Sequence, residues 1–175
     1  MTTERRIQPP LQPQAPESKP SVDRTVPTAS GWKSVGRSAQ LYAAVGLGAI
    51  VGGTARWLAS ELLHDWLGSG FPWGTLFANV TGSFLIGFYA ALSASEGRLF
   101  AGPVQRQFVM SGICGGYTTF SIFSLETIRF LQAENFQVAG ASVGVSLAGW
   151  LLAVWAGFAL ATRINRLGRS RNENS

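Results

Sequence analysis

The sequence predicts an all-α membrane protein with four transmembrane helices. Four apolar runs follow a polar amino-terminal segment, and each is long enough for the roughly 20 helical residues that cross a bilayer core of about 30 Å. Only 13% of the 175 residues are charged, against about 25% in an average soluble domain. Lys and Arg lie mainly at the ends of the apolar runs, where basic residues orient membrane helices.

Residues 1–38 are polar and rich in proline, and we predict that they form a disordered tail. Six of the eight prolines lie there, and such a segment buries too little apolar surface to offset the entropy lost on ordering. Arg5 and Arg6 are followed by no apolar core, so the segment does not have the pattern of a signal peptide.

We predict a four-helix transmembrane domain at residues 39–165 and a polar, basic tail at residues 166–175. Short connections between the apolar runs indicate that consecutive helices pack antiparallel. The predicted spans cover about residues 41–63, 71–95, 104–131 and 136–162.

The third span contains an unusual stretch, Gly112 to Glu126. Three glycines fall within five residues, and two threonines follow. Each Gly costs roughly 1 kcal/mol against Ala in a helix interior. One interpretation is a helix that is broken inside the membrane, where freed backbone groups can hold ions. The other is an unbroken helix with a glycine-rich packing face.

Small residues recur at four-residue spacing in the first two spans, which favours close contact between helices. We assign structural roles to Arg56, Gly74 and Gly82. The repeats are Gly48, Gly52 and Arg56 in the first span, and Gly74, Ala78 and Gly82 in the second.

The basic residues also predict the orientation of the chain. Twelve of the 14 Lys and Arg residues lie in the amino-terminal tail, in the loop after the second span or in the carboxyl-terminal tail, and the opposite loops carry none. The positive-inside rule then places both termini in the cytoplasm. The net charge of +5 therefore indicates membrane orientation rather than nucleic-acid binding.

Polar residues inside the spans are the candidates for function. Thr75, Asn79 and Ser83 form one stripe on the second helix, and the Asn79 amide can donate two hydrogen bonds. The alternative is a hydrogen bond that only joins two helices. Phe120 and Phe123 share a face, and the positive edges of their rings could meet a small anion, although such a pair is also common in cores.

The composition excludes several classes of site. With one Cys and one His, the chain has no internal disulfide and no multi-His or thiolate metal site. No catalytic triad, carboxylate pair or phosphate-binding loop is present, so we predict that the protein is not an enzyme. We read Cys114 and His64 as structural.

Two motifs closely resemble those of the Fluc (CrcB-type) fluoride channels. The run from Gly115 to Glu126, Gly-Gly-Tyr-Thr-Thr-Phe-Ser-Ile-Phe-Ser-Leu-Glu, resembles that family's third-span signature. Pro72-Trp73-Gly74-Thr75-Leu76, followed by Asn79 and Gly82, resembles its second-span pattern. Gly48, Gly52 and Arg56 agree more loosely, and the resemblance covers about residues 40–165.

The resemblance implies a passive, fluoride-selective channel in the bacterial inner membrane that exports cytoplasmic fluoride down its gradient and so reduces its toxicity. Two four-helix subunits would pair antiparallel, each with a third helix broken at mid-membrane. Backbone carbonyls of Gly115 and Thr118 would hold a central sodium ion. The partner is a second copy or an oppositely oriented paralogue. Because the charge bias disfavours insertion in both orientations, we hypothesise that this chain inserts mainly with its termini inside and pairs with an oppositely biased paralogue.

The resemblance also implies which residues line the pore. Asn79, Phe120 and Phe123 match pore positions, Glu126 matches a polar position near the pore mouth, and Ser146 matches a pore serine. Hydroxyls nearby add Ser83, Thr119 and Ser124 as pore-lining candidates. Departures from the family pattern are Ser142 for a frequent Tyr, Ile122 for a usual Thr and Tyr117 for a usual Phe.

Two other functions fit four apolar spans. A small multidrug-type, proton-coupled transporter needs a membrane-embedded carboxylate early in the chain, whereas the first span carries Arg56 and no carboxylate before Glu61. A structural or assembly protein would use the glycines only for packing.

Overall fold

The computed structural model describes the backbone of residues 29–94 and 99–172, and the side chains of 35–94 and 99–167. All regular elements in these ranges are helical. They are α1 (Ala29–Leu67), α2 (Trp73–Leu92), α3 (Pro103–Gln107), a π-helical segment (Phe108–Cys114), α4 (Gly115–Tyr117), α5 (Phe120–Gln132) and α6 (Phe136–Asn172).

Four helical stretches in the described chain are long and apolar enough to cross a membrane, which confirms the prediction of four such helices. They are Val35–Leu67, Trp73–Leu92, Pro103–Gln132 and Phe136–Leu167. Helix α1 begins at Ala29, upstream of the predicted boundary at residue 38, and the first 28 residues of the predicted tail lie outside the described chain. Helix α6 continues to Asn172, within the predicted carboxyl-terminal tail.

Backbone turns end two of the long helices. After α1, Gly68 takes a positive φ of 76°, and its N–H donates to the His64 carbonyl at 2.9 Å, as in a left-handed helix cap. After α5, Glu134 has a φ of 59°, and the Asn135 N–H donates to the Phe130 carbonyl at 2.8 Å. This second turn has the hydrogen bonding of a Schellman motif and leads directly into α6.

The third span is helical in several consecutive pieces. Helix α3, the π-helical segment and α4 follow one another without a gap. Thr118 and Thr119 then take extended backbone angles, with φ/ψ of −79°/156° and −151°/124°. The helix resumes at Phe120, so the regular hydrogen-bond ladder is interrupted at the two threonines.

Two glycines of the third span pack against the backbone of α1. A Cβ added to Gly112 would lie 2.9 Å from Gly48 Cα, and one added to Gly116 would lie 2.8 Å from Ala49 Cα. Neither space admits a side chain. Gly112 and Gly116 therefore form a packing face, and the interruption follows immediately after it.

Close approaches also join α2 to its neighbours. Helix α2 packs chiefly against α6, where a Cβ on Gly157 would lie 3.0 Å from the Phe88 nitrogen. At its amino-terminal end, a Cβ on Gly74 would lie 2.7 Å from Ser60 Cα in α1. In its middle, a Cβ on Gly82 would overlap the Thr118 side chain. Gly74 and Gly82 thus set how closely α2 approaches α1 and the interruption.

We expect Gly48→Ala to lower the thermal stability of the protein in detergent. The new Cβ would lie 2.8 Å from Gly112 Cα and 2.9 Å from the Ile113 nitrogen, and overpacking of this kind typically costs about 1–3 kcal/mol. Gly46→Ala is the matched control on the same helix, since nothing lies within 4 Å of its added Cβ. Circular dichroism melts measure both variants, and equal melting temperatures would contradict the assigned packing.

Candidate functional site

The Asn79 side chain, on α2, pairs with the peptide groups of Thr119 at the interruption. Asn79 Nδ2 donates to the Thr119 carbonyl at 2.8 Å, and the Thr119 N–H donates to Asn79 Oδ1 at 2.6 Å. Asn79 is only 4% exposed, so water does not compete for these bonds. The carboxamide thereby satisfies backbone groups that hydrocarbon could not.

Two carbonyls beside the interruption lose their usual helical donors. In a continuous α-helix, Thr119 N–H would donate to Gly115 and Ile122 N–H would donate to Thr118. Here the Thr119 N–H donates to Asn79, and the Ile122 N–H donates to the Thr119 hydroxyl at 3.2 Å. The Gly115 and Thr118 carbonyl oxygens therefore keep lone pairs available for a ligand.

Side chains brace the helical turn that precedes the interruption. The Thr118 hydroxyl donates to the Cys114 carbonyl at 2.9 Å. Arg56 Nε, from α1, donates to the Gly116 carbonyl at 3.4 Å, which places a cation at the carboxyl end of the turn, where the helix dipole favours it. The Thr81 hydroxyl, on α2, donates a hydrogen bond to the Tyr117 hydroxyl at 3.1 Å. The end of α4 is thus held by both α1 and α2.

The two phenylalanines of α5 differ in their surroundings. Phe120 is 69% exposed and Phe123 is 6% exposed, with ring centroids 5.7 Å apart. Phe123 in turn meets Trp150 of α6 edge-on, with centroids 4.9 Å apart and planes at 73°. The buried Phe123 ring therefore packs against the Phe120 ring, which is exposed on the surface of the protomer.

A pocket of about 290 Å³ lies at the interruption. It brings together most of the residues predicted for the pore and the cation site, with Ile86, Cys114 and Trp150 beside them. The residues predicted for the pore or the cation site that line it are Asn79, Ser83, Gly115, Thr118, Thr119 and Phe120, and Gly82, which was predicted to be structural, also lines it.

Glu126 lies elsewhere, in a second pocket of about 470 Å³ that Arg56 and Gly74 also line. Thr75 and Arg129 line the same pocket as Glu126, and Arg129 is the nearby positive charge. Glu126 Oε2 is buried and has no partner among the described residues. The predicted mouth residue is therefore separated from the pocket around Asn79.

The remaining candidates lie on α5 and α6. Ser124 donates its hydroxyl to the Phe120 carbonyl at 2.9 Å, within its own helix. Ser146 is 1% exposed and Ser142 is fully buried, so both face the protein interior from α6. Cys114 is buried and lines the first pocket, whereas His64 is exposed and lines the second.

Sequence reasoning did not single out Trp150 or the proximity of Thr75 to Glu126 in the second pocket. Trp150 follows Ser146 by four residues, so a stripe drawn along α6 would have included it. Thr75 lies on the predicted stripe of α2, but Glu126 is distant from it in sequence.

The family model described as CrcB-like protein, Camphor Resistance (CrcB), matches residues 43–158. A protein of Rhodopseudomonas palustris (strain BisB18), named fluoride-specific ion channel FluC 1, is 57% identical over 129 residues, or 74% of this chain and 92% of the relative. The protein with the same name in Bradyrhizobium diazoefficiens is 53% identical over 134 residues, covering 77% and 93%. FluC of Opitutus terrae is 46% identical over 127 residues, covering 73% and 96%.

We expect Asn79→Asp to destabilise the protein by about 1–3 kcal/mol or more, because the Thr119 carbonyl would lose the Asn79 Nδ2 donor and face a carboxylate. Asn135→Asp is the control: Asn135 is exposed, and its side chain only accepts a hydrogen bond, from Val138 N–H at 3.4 Å. Thermal melts in detergent compare the two variants. Equal losses would show that the Asn79 pairing with Thr119 contributes nothing.

Proposed function

This chain belongs to the CrcB-like family, whose curated relatives are named as ion channels and not as enzymes, and from that premise we propose that it forms a passive, fluoride-selective channel. Fluoride would leave the cytoplasm down its electrochemical gradient, which would reduce its toxicity. The observation that carries the proposal is the pocket at the interruption, where Asn79 and Phe120 lie together.

The chemistry of this pocket suits a small anion. After pairing with Thr119, the Asn79 amide keeps a second N–H, and the exposed Phe120 ring presents a positive edge. None of the described residues that line the pocket is Lys, Arg, Asp or Glu. Neutral donors attract an anion without holding it as a fixed cation would, and conduction needs binding that is weak enough for release.

We propose that two protomers pair antiparallel and complete the pore between them. The pocket lies beside Gly115 and Phe120, which are both exposed on the protomer, and a second subunit would cover them. The partner is a second copy or an oppositely oriented paralogue. Some relatives carry numbers in their names, such as FluC 3 of Brucella abortus and FluC 4 of Brucella suis. These numbers support the idea that one organism can have more than one such chain.

We propose further that a sodium ion lies at the centre of the dimer, held by the carbonyls of Gly115 and Thr118. Both carbonyls have lost their helical donors to side chains, and neutral oxygens suit a monovalent cation. Among the described residues, no cluster of His, Cys, Asp and Glu could hold a metal ion, so carbonyl oxygens are the donors this site offers. When bound, the ion would raise the electrostatic potential felt by a passing anion.

The proposed location is the bacterial inner membrane, with both termini in the cytoplasm and the interruption near mid-membrane. The basic residues at the ends of the spans support this orientation. The multidrug-type transporter is not favoured, because the relatives are named as fluoride-specific channels.

We expect liposomes that contain this protein, alone or with a co-expressed paralogue, to lose fluoride rapidly and to retain chloride, as read with ion-selective electrodes. Phe120→Ile should lower the fluoride flux about tenfold or more, since losing about 1.4 kcal/mol of interaction is a tenfold change. Phe136→Ile, a similarly exposed ring at the start of α6, is the control and should leave the flux unchanged. If wild-type vesicles leak neither ion, even with a co-expressed paralogue, the channel proposal fails.

We expect protein purified with N-methylglucamine in place of sodium to lose its fluoride flux and to regain it when sodium is restored. The reason is that, without the sodium ion, the negative ends of the carbonyl dipoles would face the path of the anion. The same exchange with potassium tests the fit of the site. Full flux without any small monovalent cation would contradict the sodium proposal and leave the channel proposal in place.

A further inference from the structure

An apolar groove of about 310 Å³ lies between α1 and α6, with α2 as its floor. Both helices pack against α2, but among the described residues no Cα atom of α1 comes within 8 Å of one in α6. Leu63 and Leu67 form the wall on α1, Phe77 and Val80 belong to the floor, and Val145 stands on α6. None of the described residues that line the groove carries a charge, an amide or a hydroxyl.

The groove runs from the end of the bundle toward its middle. Trp73, the first residue of α2, lines it and is 39% exposed, and Trp is typical of the membrane–water interface. At the deeper end, a Cβ added to Gly149 would lie 3.0 Å from Val80 Cγ2. Seven residues of α2 separate Trp73 from Val80, which corresponds to about 10 Å. The groove therefore extends from the interface into the hydrocarbon region.

The proposed dimer face lies elsewhere on the protomer. Gly115 and Phe120 belong to the third span, and no described residue that lines the groove comes from that span. On α2, Val80 follows Asn79 by one residue, which turns its side chain by about 100°. A second subunit that covers the first pocket would leave the groove facing the bilayer.

We propose that this groove binds one acyl chain of a membrane phospholipid. Its walls offer water no hydrogen-bond partners, and apolar spaces of this kind stay dry. Helices α1, α2 and α6 all belong to membrane spans, so the surrounding bilayer supplies hydrocarbon chains to this side. A chain between three helices gains more van der Waals contacts than one against a flat surface. It would also bridge α1 and α6, and the inference does not depend on fluoride conduction.

The first test adds lipid to the assembled protein after its own lipid has been removed in a steroid-based detergent, which has no alkyl chain to compete. We expect dioleoylphosphatidylethanolamine to raise the melting temperature by roughly 5 °C and the rise to level off at saturation. Dibutyrylphosphatidylethanolamine has the same headgroup, but its chains are too short to fill a groove of about 10 Å. It should leave the melting temperature unchanged.

A filling substitution locates the effect. In Val145→Phe the larger ring would occupy the groove, so we expect the melting temperature to stop responding to the dioleoyl lipid. Leu147→Phe is the matched control, because Leu147 lies on the same helix, is 47% exposed against 50% for Val145, and does not line the groove. Native mass spectrometry should find one retained phospholipid per protomer in the wild type and in Leu147→Phe, and none in Val145→Phe.

Three results would overturn the inference. A lipid response of the same size in Val145→Phe and Leu147→Phe, or one that never levels off, would show only the general effect of surrounding lipid. An equal response to the dibutyryl lipid would show that a headgroup site elsewhere is responsible. Loss of the dimer in Val145→Phe, seen as a later elution volume, would show that a second subunit covers the groove. If Val145→Phe does not fold, Leu63→Phe fills the groove from α1 and is judged by the same criteria.

Discussion

The pair of hydrogen bonds between Asn79 and Thr119 is the interaction on which the rest of this structure depends. A helix in hydrocarbon cannot leave peptide groups unpaired, so the interruption needs a partner that offers both a donor and an acceptor. A carboxamide has the same donor–acceptor pair as a peptide group. Because Asn79 supplies it at 2.8 and 2.6 Å, Thr119 can take an extended conformation inside an apolar bundle.

Close contacts at glycines set the distances between α1, α2 and the third span, so that Asn79 can reach Thr119. Gly48 and Gly112 bring α1 and the third span into backbone contact, and Gly82 lets α2 approach Thr118. A larger residue at these points would push α2 or α1 outward, and the Asn79 amide would then not reach the Thr119 peptide. Packing that is common in membrane proteins is therefore also a condition for the polar site.

The four spans could be predicted because their length and lack of charge are properties of local sequence. Asn79 could be singled out, as an amide in an apolar helix, but its partner could not, because the pairing with Thr119 depends on how two helices approach each other. The glycine-rich stretch has one feature of each interpretation: Gly112 and Gly116 pack against α1, and the regular hydrogen-bond ladder is interrupted just beyond them. Trp150 could not be singled out, because nothing in the local sequence shows that α6 places its ring against Phe123 and beside the first pocket.

The π-helical segment at Phe108–Cys114 affects the direction in which the threonines of the interruption face. A π-turn closes on the fifth residue rather than the fourth, so it acts as a one-residue insertion that turns everything after it by roughly 100° relative to an unbroken α-helix. The close contact between Gly116 and Ala49 comes after this rotation in the chain and depends on it. The segment therefore sets the angular phase of the third span, and shortening it by one residue would swing the threonines away from Asn79 without altering either of them.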